Sequence, residues 1–103
     1  MGKPLSDKNN DKYEFTDSCR RIFNTTVWQI RCLRNKSLGG WIEKEENLSY
    51  IDNSCWIAEE AIVCEEASVI GDCQVSGHAI ISGKARLESG DISGEVHIYG
   101  DSK

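Results

Sequence analysis

The chain has 103 residues, 39% of them apolar and 28% charged, with a formal net charge of −5. That length makes one domain, able to bury about two-thirds or slightly less of its unfolded surface. No stretch approaches the roughly 20 apolar residues of a membrane-spanning helix, so no membrane partner is expected. The charge is uneven: residues 1–40 carry eight Lys/Arg against four Asp/Glu, and residues 41–103 carry four against thirteen. An acidic surface of this kind repels nucleic acid and attracts basic proteins, so direct nucleic-acid binding is not expected and a basic or nucleic-acid-binding protein partner is.

Residues 1–11 are polar and lack the apolar core of a secretory signal, and they read as a disordered tail. With no such signal, the five cysteines are expected to be free thiols in a reducing cytoplasm rather than a disulfide framework. Residues 12–48 read as a β-hairpin and cap. Tyr13, Phe15 and Cys19 alternate on one strand, and Trp28, Ile30 and Cys32 alternate on the next, with "FNTT" between them. "SLGG" then reads as a Gly-Gly turn leading to residue 49.

From residue 49 onward the chain counts in sixes. Aliphatic residues stand at Ile51, Ile57, Val63, Val69, Val75, Ile81 and Leu87, and after a slip of one the series resumes at Ile92 and Ile98. Two residues before most of them is a small side chain: Ser49, Cys55, Ala61, Ala67, Cys73, Ala79, Ala85. Two residues after stand Asn53, Gly71, Gly77 and Gly83. A fixed short period decides a fold before local propensity does. Six residues make one short strand and a corner. Three such sides close a triangular coil, and coils stack by parallel pairing about 4.8 Å apart. The corner requires positive φ, which Gly gives freely and Asn tolerates. Glu59 and Glu65 fall at corners in the first full coil, which is therefore expected to be the least regular. The fold class is all-β: a short parallel β-helix of about three coils over residues 49–103, capped by the hairpin.

These hexads resemble those of the hexapeptide-repeat proteins, which form left-handed parallel β-helices. A hairpin followed by "LGGW.E.E.NLS" ahead of the hexads is similar to the YdcK-like group of bacteria and phages. The resemblance covers residues 12–101. Fold does not fix function, but the phage association of that group suggests an anti-CRISPR-like inhibitor. Such a protein would occupy the nucleic-acid-binding surface of a host defence nuclease.

The candidate partner-binding face is acidic: Glu59, Glu60, Glu65, Glu66 and Asp72. A second candidate is the last coil, where Val96, Ile98 and Tyr99 form an uncovered edge suited to a homodimer. No catalytic residue, cofactor or metal site is expected. His78 could serve as a general base, since acyltransferases of the hexapeptide-repeat class use a histidine. It is expected instead to ladder on the surface between Glu60, one coil below, and Glu95, one coil above. Glu66, Lys84 and Asp101 form a similar column. Cys55 and Cys73 occupy the same inward position one coil apart. Cys64, half a coil from each, is expected to face outward, so the three do not converge on a metal. The reading is a non-enzymatic protein-binding module. Its alternatives are a small acyltransferase, which a His78→Ala change would silence, and a self-assembling structural module.

Overall fold

The six-residue period predicts strands two or so residues long, too short to be stable unless each is stacked on another. The structure, a computed structural model, describes residues 8–22, 24–50 and 54–100. Ile51, Asn53, Asp101 and the first seven residues of the expected tail lie outside the described residues. Parallel strands follow the hexads: β4 (Trp56–Ile57), β5 (Ile62–Val63), β6 (Ser68–Val69), β7 (Gln74–Val75), β8 (Ile80–Gly83), β9 (Arg86–Leu87), β10 (Asp91–Ile92) and β11 (His97–Gly100). Trp56 stands opposite Gln74 and Ser68 opposite Arg86, each 18 residues on. Past Leu87 the offset drops to 17, with Gln74 opposite Asp91 and Ile80 opposite His97. The single slip in the sequence is thus one coil shortened by a residue. The result is an all-β solenoid of about three turns, as the period requires.

The interior is a column of aliphatics. Ile57, Val63, Val69, Val75 and Ile81 are at most 1% exposed, as are Cys55, Ala61, Ala67, Cys73 and Ala79 beside them. Each buried aliphatic contributes about 1.5–3 kcal/mol. The corners hold Gly71, Gly77 and Gly83 at φ +67 to +70, and Glu59 and Glu65 adopt φ +60 as well. The expected irregularity at the two glutamates is absent, for a chemical reason. Each carboxylate accepts a 2.7 Å hydrogen bond from the corner glycine one coil above, Gly77 N–H to Glu59 and Gly83 N–H to Glu65. A left-handed non-glycine residue costs about 1–2 kcal/mol, and a charge-assisted hydrogen bond offsets much of it.

The N-terminal part is two antiparallel strands, β1 (Tyr13–Ile22) and β2 (Thr25–Cys32), then β3 (Leu38–Ile42). β3 pairs antiparallel with β2 and parallel with β5. The hairpin therefore continues one wall of the solenoid, in the order β1-β2-β3-β5-β8-β11. Ile22 pairs with Thr25, and Asn24 makes the turn at φ +62. The pairing slips between Phe15 and Cys19, so the hairpin changes the side it buries. Before the slip Tyr13 and Phe15, with Ile30 opposite, plug the end of the aliphatic column. After it Cys19 is exposed, and Val27 and Ile22 cover the outside of the solenoid wall.

That outer layer corrects one expectation. Cys64 points away from the aliphatic column, yet it is fully buried with Val27 and Ile62 beneath the folded-over hairpin. The Gly-Gly pair is a second correction. Gly39 and Gly40 lie within β3 rather than in a turn, because side chains there would collide with the first coil. A Cβ on Gly39 would stand 2.6 Å from the Trp56 ring, and one on Gly40 2.6 Å from the Ala61 carbonyl. After β3, Leu48 bridges to Val69, 21 residues on, so residues from 38 to 48 form a partial coil beneath the first full one.

Asn47, fully buried in a 3-10 turn (Glu45–Asn47), clamps this partial coil. Its Oδ1 accepts from the N–H groups of Glu43 and Lys44 (2.9 and 2.8 Å), and its Nδ2 donates to the carbonyls of Glu65 and Ala67 (3.2 and 2.7 Å). The cap reaches back to Asn10, whose side chain accepts from the N–H groups of Lys12 and Tyr13 and donates to Glu45. The Tyr13 hydroxyl donates to the Leu48 carbonyl. Burial holds that hydroxyl protonated far above the usual tyrosine range, and Glu45 adds to the effect.

Candidate functional site: the uncovered coil and the acidic flank

The two ends of the solenoid differ. The N-terminal end is plugged by Tyr13, Phe15, Ile30 and Ile42. At the other end, β9, β10 and β11 are each the last strand of their sheet. Leu87, Ile92 and Ile98 continue the aliphatic column, but they are only partly buried, whereas Val69, Val75 and Ile81 beneath them are at most 1% exposed. Val96 is 39% exposed and Tyr99 75%. A Cβ on Gly94 would meet nothing within 4 Å. Among the described residues nothing lies over this coil.

Backbone polarity alternates along a strand, so it fixes which groups are free. The carbonyls of Leu87, Ile92 and Val96 accept from Ile70, Ser76 and Ile80 of the coil below. Intervening residues aim their N–H and C=O groups the other way. Arg86, Asp91, His97 and Tyr99 therefore turn their backbone groups to the open end, unpaired among the described residues, and their side chains stand on the outer surface. These four form a ready template for another strand.

The five expected acidic residues do not share one face: Glu59 with Glu60, Glu65 with Glu66, and Asp72 stand at three successive corners. The β5 wall between the first two pairs lies under the hairpin, and their side chains are engaged within the chain. Glu59 and Glu65 hold corners, as described above. Glu60 pairs with Arg20 at 3.1 Å, Glu66 with Lys44 at 3.2 Å, and Asp72 accepts from the Ser54 hydroxyl at 3.1 Å. The Arg20 guanidinium also lies 5.3 Å from the Trp41 ring centre. Arg20 comes from the basic segment of residues 1–40 and Lys44 from just beyond it, and sequence separation hides both pairings. No ion pair links His78 to Glu60 among the described residues, because Glu60 is turned toward the hairpin. His78 and His97 are both exposed. Glu66 likewise faces Lys44 in place of Lys84.

Cys55 and Cys73, the residues just before β4 and β7, are buried in the aliphatic column one coil apart, and Cys64 sits in the separate outer layer. Burial pushes the Cys64 thiol up to about 11, with help from Glu65 and Glu43. Burial also raises Cys73, with a further push from Cys55. A groove of about 740 Å³ runs between the hairpin and the first coil, lined in part by Lys12, Arg34, Tyr50, Cys55 and Trp56. Lys12 is already committed there, donating to the Ser49 carbonyl at 3.0 Å and to Cys55 Sγ at 3.4 Å. Among the described residues no helix is long and apolar enough to cross a membrane. Comparison with protein families, with curated proteins and with solved structures finds no match to this chain.

Proposed function

We propose that this chain is a non-catalytic protein-binding module that docks through the uncovered coil of its solenoid. The observation that carries the proposal is that all three sheets end on one coil, where Leu87, Ile92 and Ile98 are left half-covered. An open apolar column ringed by unpaired strand edges is stabilised by whatever extends it. Left-handed winding, kinship with the hexapeptide-repeat and YdcK-like proteins, and a cytoplasmic setting belong to the same proposal.

A second reading, the acidic inhibitor of a nucleic-acid-handling protein, is favoured by one observation. Glu60, Glu66 and Asp72 are exposed on the acidic part of the chain, residues 41–103. Their partners Arg20 and Lys44 make surface ion pairs of about 0–1 kcal/mol, which a basic partner displaces at little cost. The two readings separate in one experiment: capture of a partner on immobilised wild type, on Ile98→Lys and on Glu60→Lys/Glu66→Lys. Loss on Ile98→Lys alone supports the open coil, and loss on the double reversal alone supports the acidic flank. Retention on both overturns both.

A further inference from the structure

We propose that the occupant of the open coil is a second copy of this chain, joined end to end about a two-fold axis that passes through the β11 wall. This rests on the open coil being the docking surface, and it specifies the partner and the pairing.

A closed pair of identical ends must be isologous. On a three-sided coil a perpendicular two-fold can pass through only one wall at a time. That wall then pairs antiparallel with its own copy, and the other two walls exchange. The walls are limited by Gly83, by Glu88 over the Gly71 corner, by Gly94 over Gly77 and by Gly100 over Gly83. The wall midpoints therefore fall near Arg86, Asp91 and His97. Those are the residues whose backbone faces the open end, so each can form a hydrogen-bonded antiparallel pair.

Charge selects the axis. An axis through the β9 wall sets Arg86 against its own copy, and one through the β10 wall does the same to Asp91. Like charges directly opposite destabilise a strand pair. An axis through the β11 wall instead sets Arg86 opposite Asp91 of the second copy, twice, with His97 near the axis. β9 and β10 are also equal in length, two residues each, and β11 is the longest of the three at four. The same register places small against large at two positions, Leu87 opposite Gly90 and Ala85 opposite Ile92, and sets Val96 against Ile98. The half-covered aliphatics then complete one continuous column through both copies. Among the described residues Arg86 is held by an exposed pairing with Glu88 at 3.0 Å, which it can leave cheaply.

Sedimentation velocity across a dilution series tests this with exposed substitutions, with circular dichroism confirming that each variant is folded. Wild type is expected to dimerise. Arg86→Asp and Asp91→Arg each turn the two attractive contacts repulsive, which weakens the dimer by about thirtyfold. The double swap Arg86→Asp/Asp91→Arg restores it. A monomeric wild type overturns the proposal but leaves the open coil available to another protein. A dimer broken by Ile98→Lys but indifferent to the charge reversals overturns the axis alone. A dimer that survives Ile98→Lys overturns both the proposal and the docking surface on which it rests.

Discussion

Gly77 and Gly94 occupy the same corner one coil apart, at φ +70 and +78, and among the described residues only the lower one has a coil above it. A Cβ on Gly77 would stand 2.6 Å from the Gly94 nitrogen and 3.1 Å from its carbonyl oxygen. Both atoms are backbone and cannot rotate aside. Gly94→Ala carries only the left-handed penalty of about 1–2 kcal/mol, partly returned by the stiffer unfolded chain, about 0.4–1 kcal/mol. Gly77→Ala carries that and the separation of two coils. The separation lengthens the hydrogen bond from His78 N–H to the Gly94 carbonyl, now 3.0 Å, and costs about 2 kcal/mol as overpacking. The two variants should therefore differ by about 2 kcal/mol, or about 10 °C in Tm for a domain of this size. Thermal and urea unfolding followed by tryptophan fluorescence measure this, at concentrations low enough to leave the open end unoccupied. Equal losses from the two substitutions would refute the stacked-coil explanation of the repeat.

Other outcomes follow from particular contacts. Asn47→Leu strands two backbone donors and two carbonyls in the interior and should cost about 2–4 kcal/mol by urea denaturation. Glu65→Ala removes the carboxylate under the Gly83 N–H and should lower Tm clearly, whereas Glu66→Ala, which breaks only a surface pair, should leave it nearly unchanged. The Cys64 thiol is raised to about 11 from an ordinary value of 9.0, so the unfolded chain loses this proton first. Its contribution is complete below about pH 9 and is lost as pH rises through about 11, a fall near 3 kcal/mol. Cys64→Ala should remove this part of the alkaline loss and leave the part due to Cys73 and Tyr13, as read by denaturation at pH 8 and pH 10.5. A maleimide at neutral pH should label the exposed Cys19 and spare Cys55, Cys64 and Cys73 in the native protein, as peptide mass mapping would show.

The solenoid was legible because its rule is local: one aliphatic, one small residue and one corner in each six. Even the slip after Leu87 reads directly as a 17-residue coil. What the sequence hid was everything depending on the hairpin's path. The slip between Phe15 and Cys19 leaves no mark in the alternation. Nothing local therefore announces that Val27 will cover Cys64, or that Arg20 will reach Glu60. Gly39 and Gly40 look like a turn because close approach and tight turning select the same residue. Asn47 stands in a glycosylation-like triplet, and its four hydrogen bonds exist only once Glu65 and Ala67 arrive above it. The acidic residues were visible as charge, but two of the five proved to be corner supports. The coil that carries Leu87, Ile92 and Ile98 was visible as hexads, but their partial exposure was not. Which of its residues present free backbone required the hydrogen-bond phase of the coil below.

The most direct test of the open-coil assignment is amide hydrogen exchange at single-residue resolution, in dilute and in concentrated protein. Docking at this end predicts that the amides of Arg86, Asp91, His97 and Tyr99 exchange rapidly when dilute and become protected together as concentration rises. Amides of the coil below, such as Gln74 and Ile80, should stay protected throughout. Fast exchange of those four amides at every concentration and with every captured partner would show that the open coil is not the surface this protein uses.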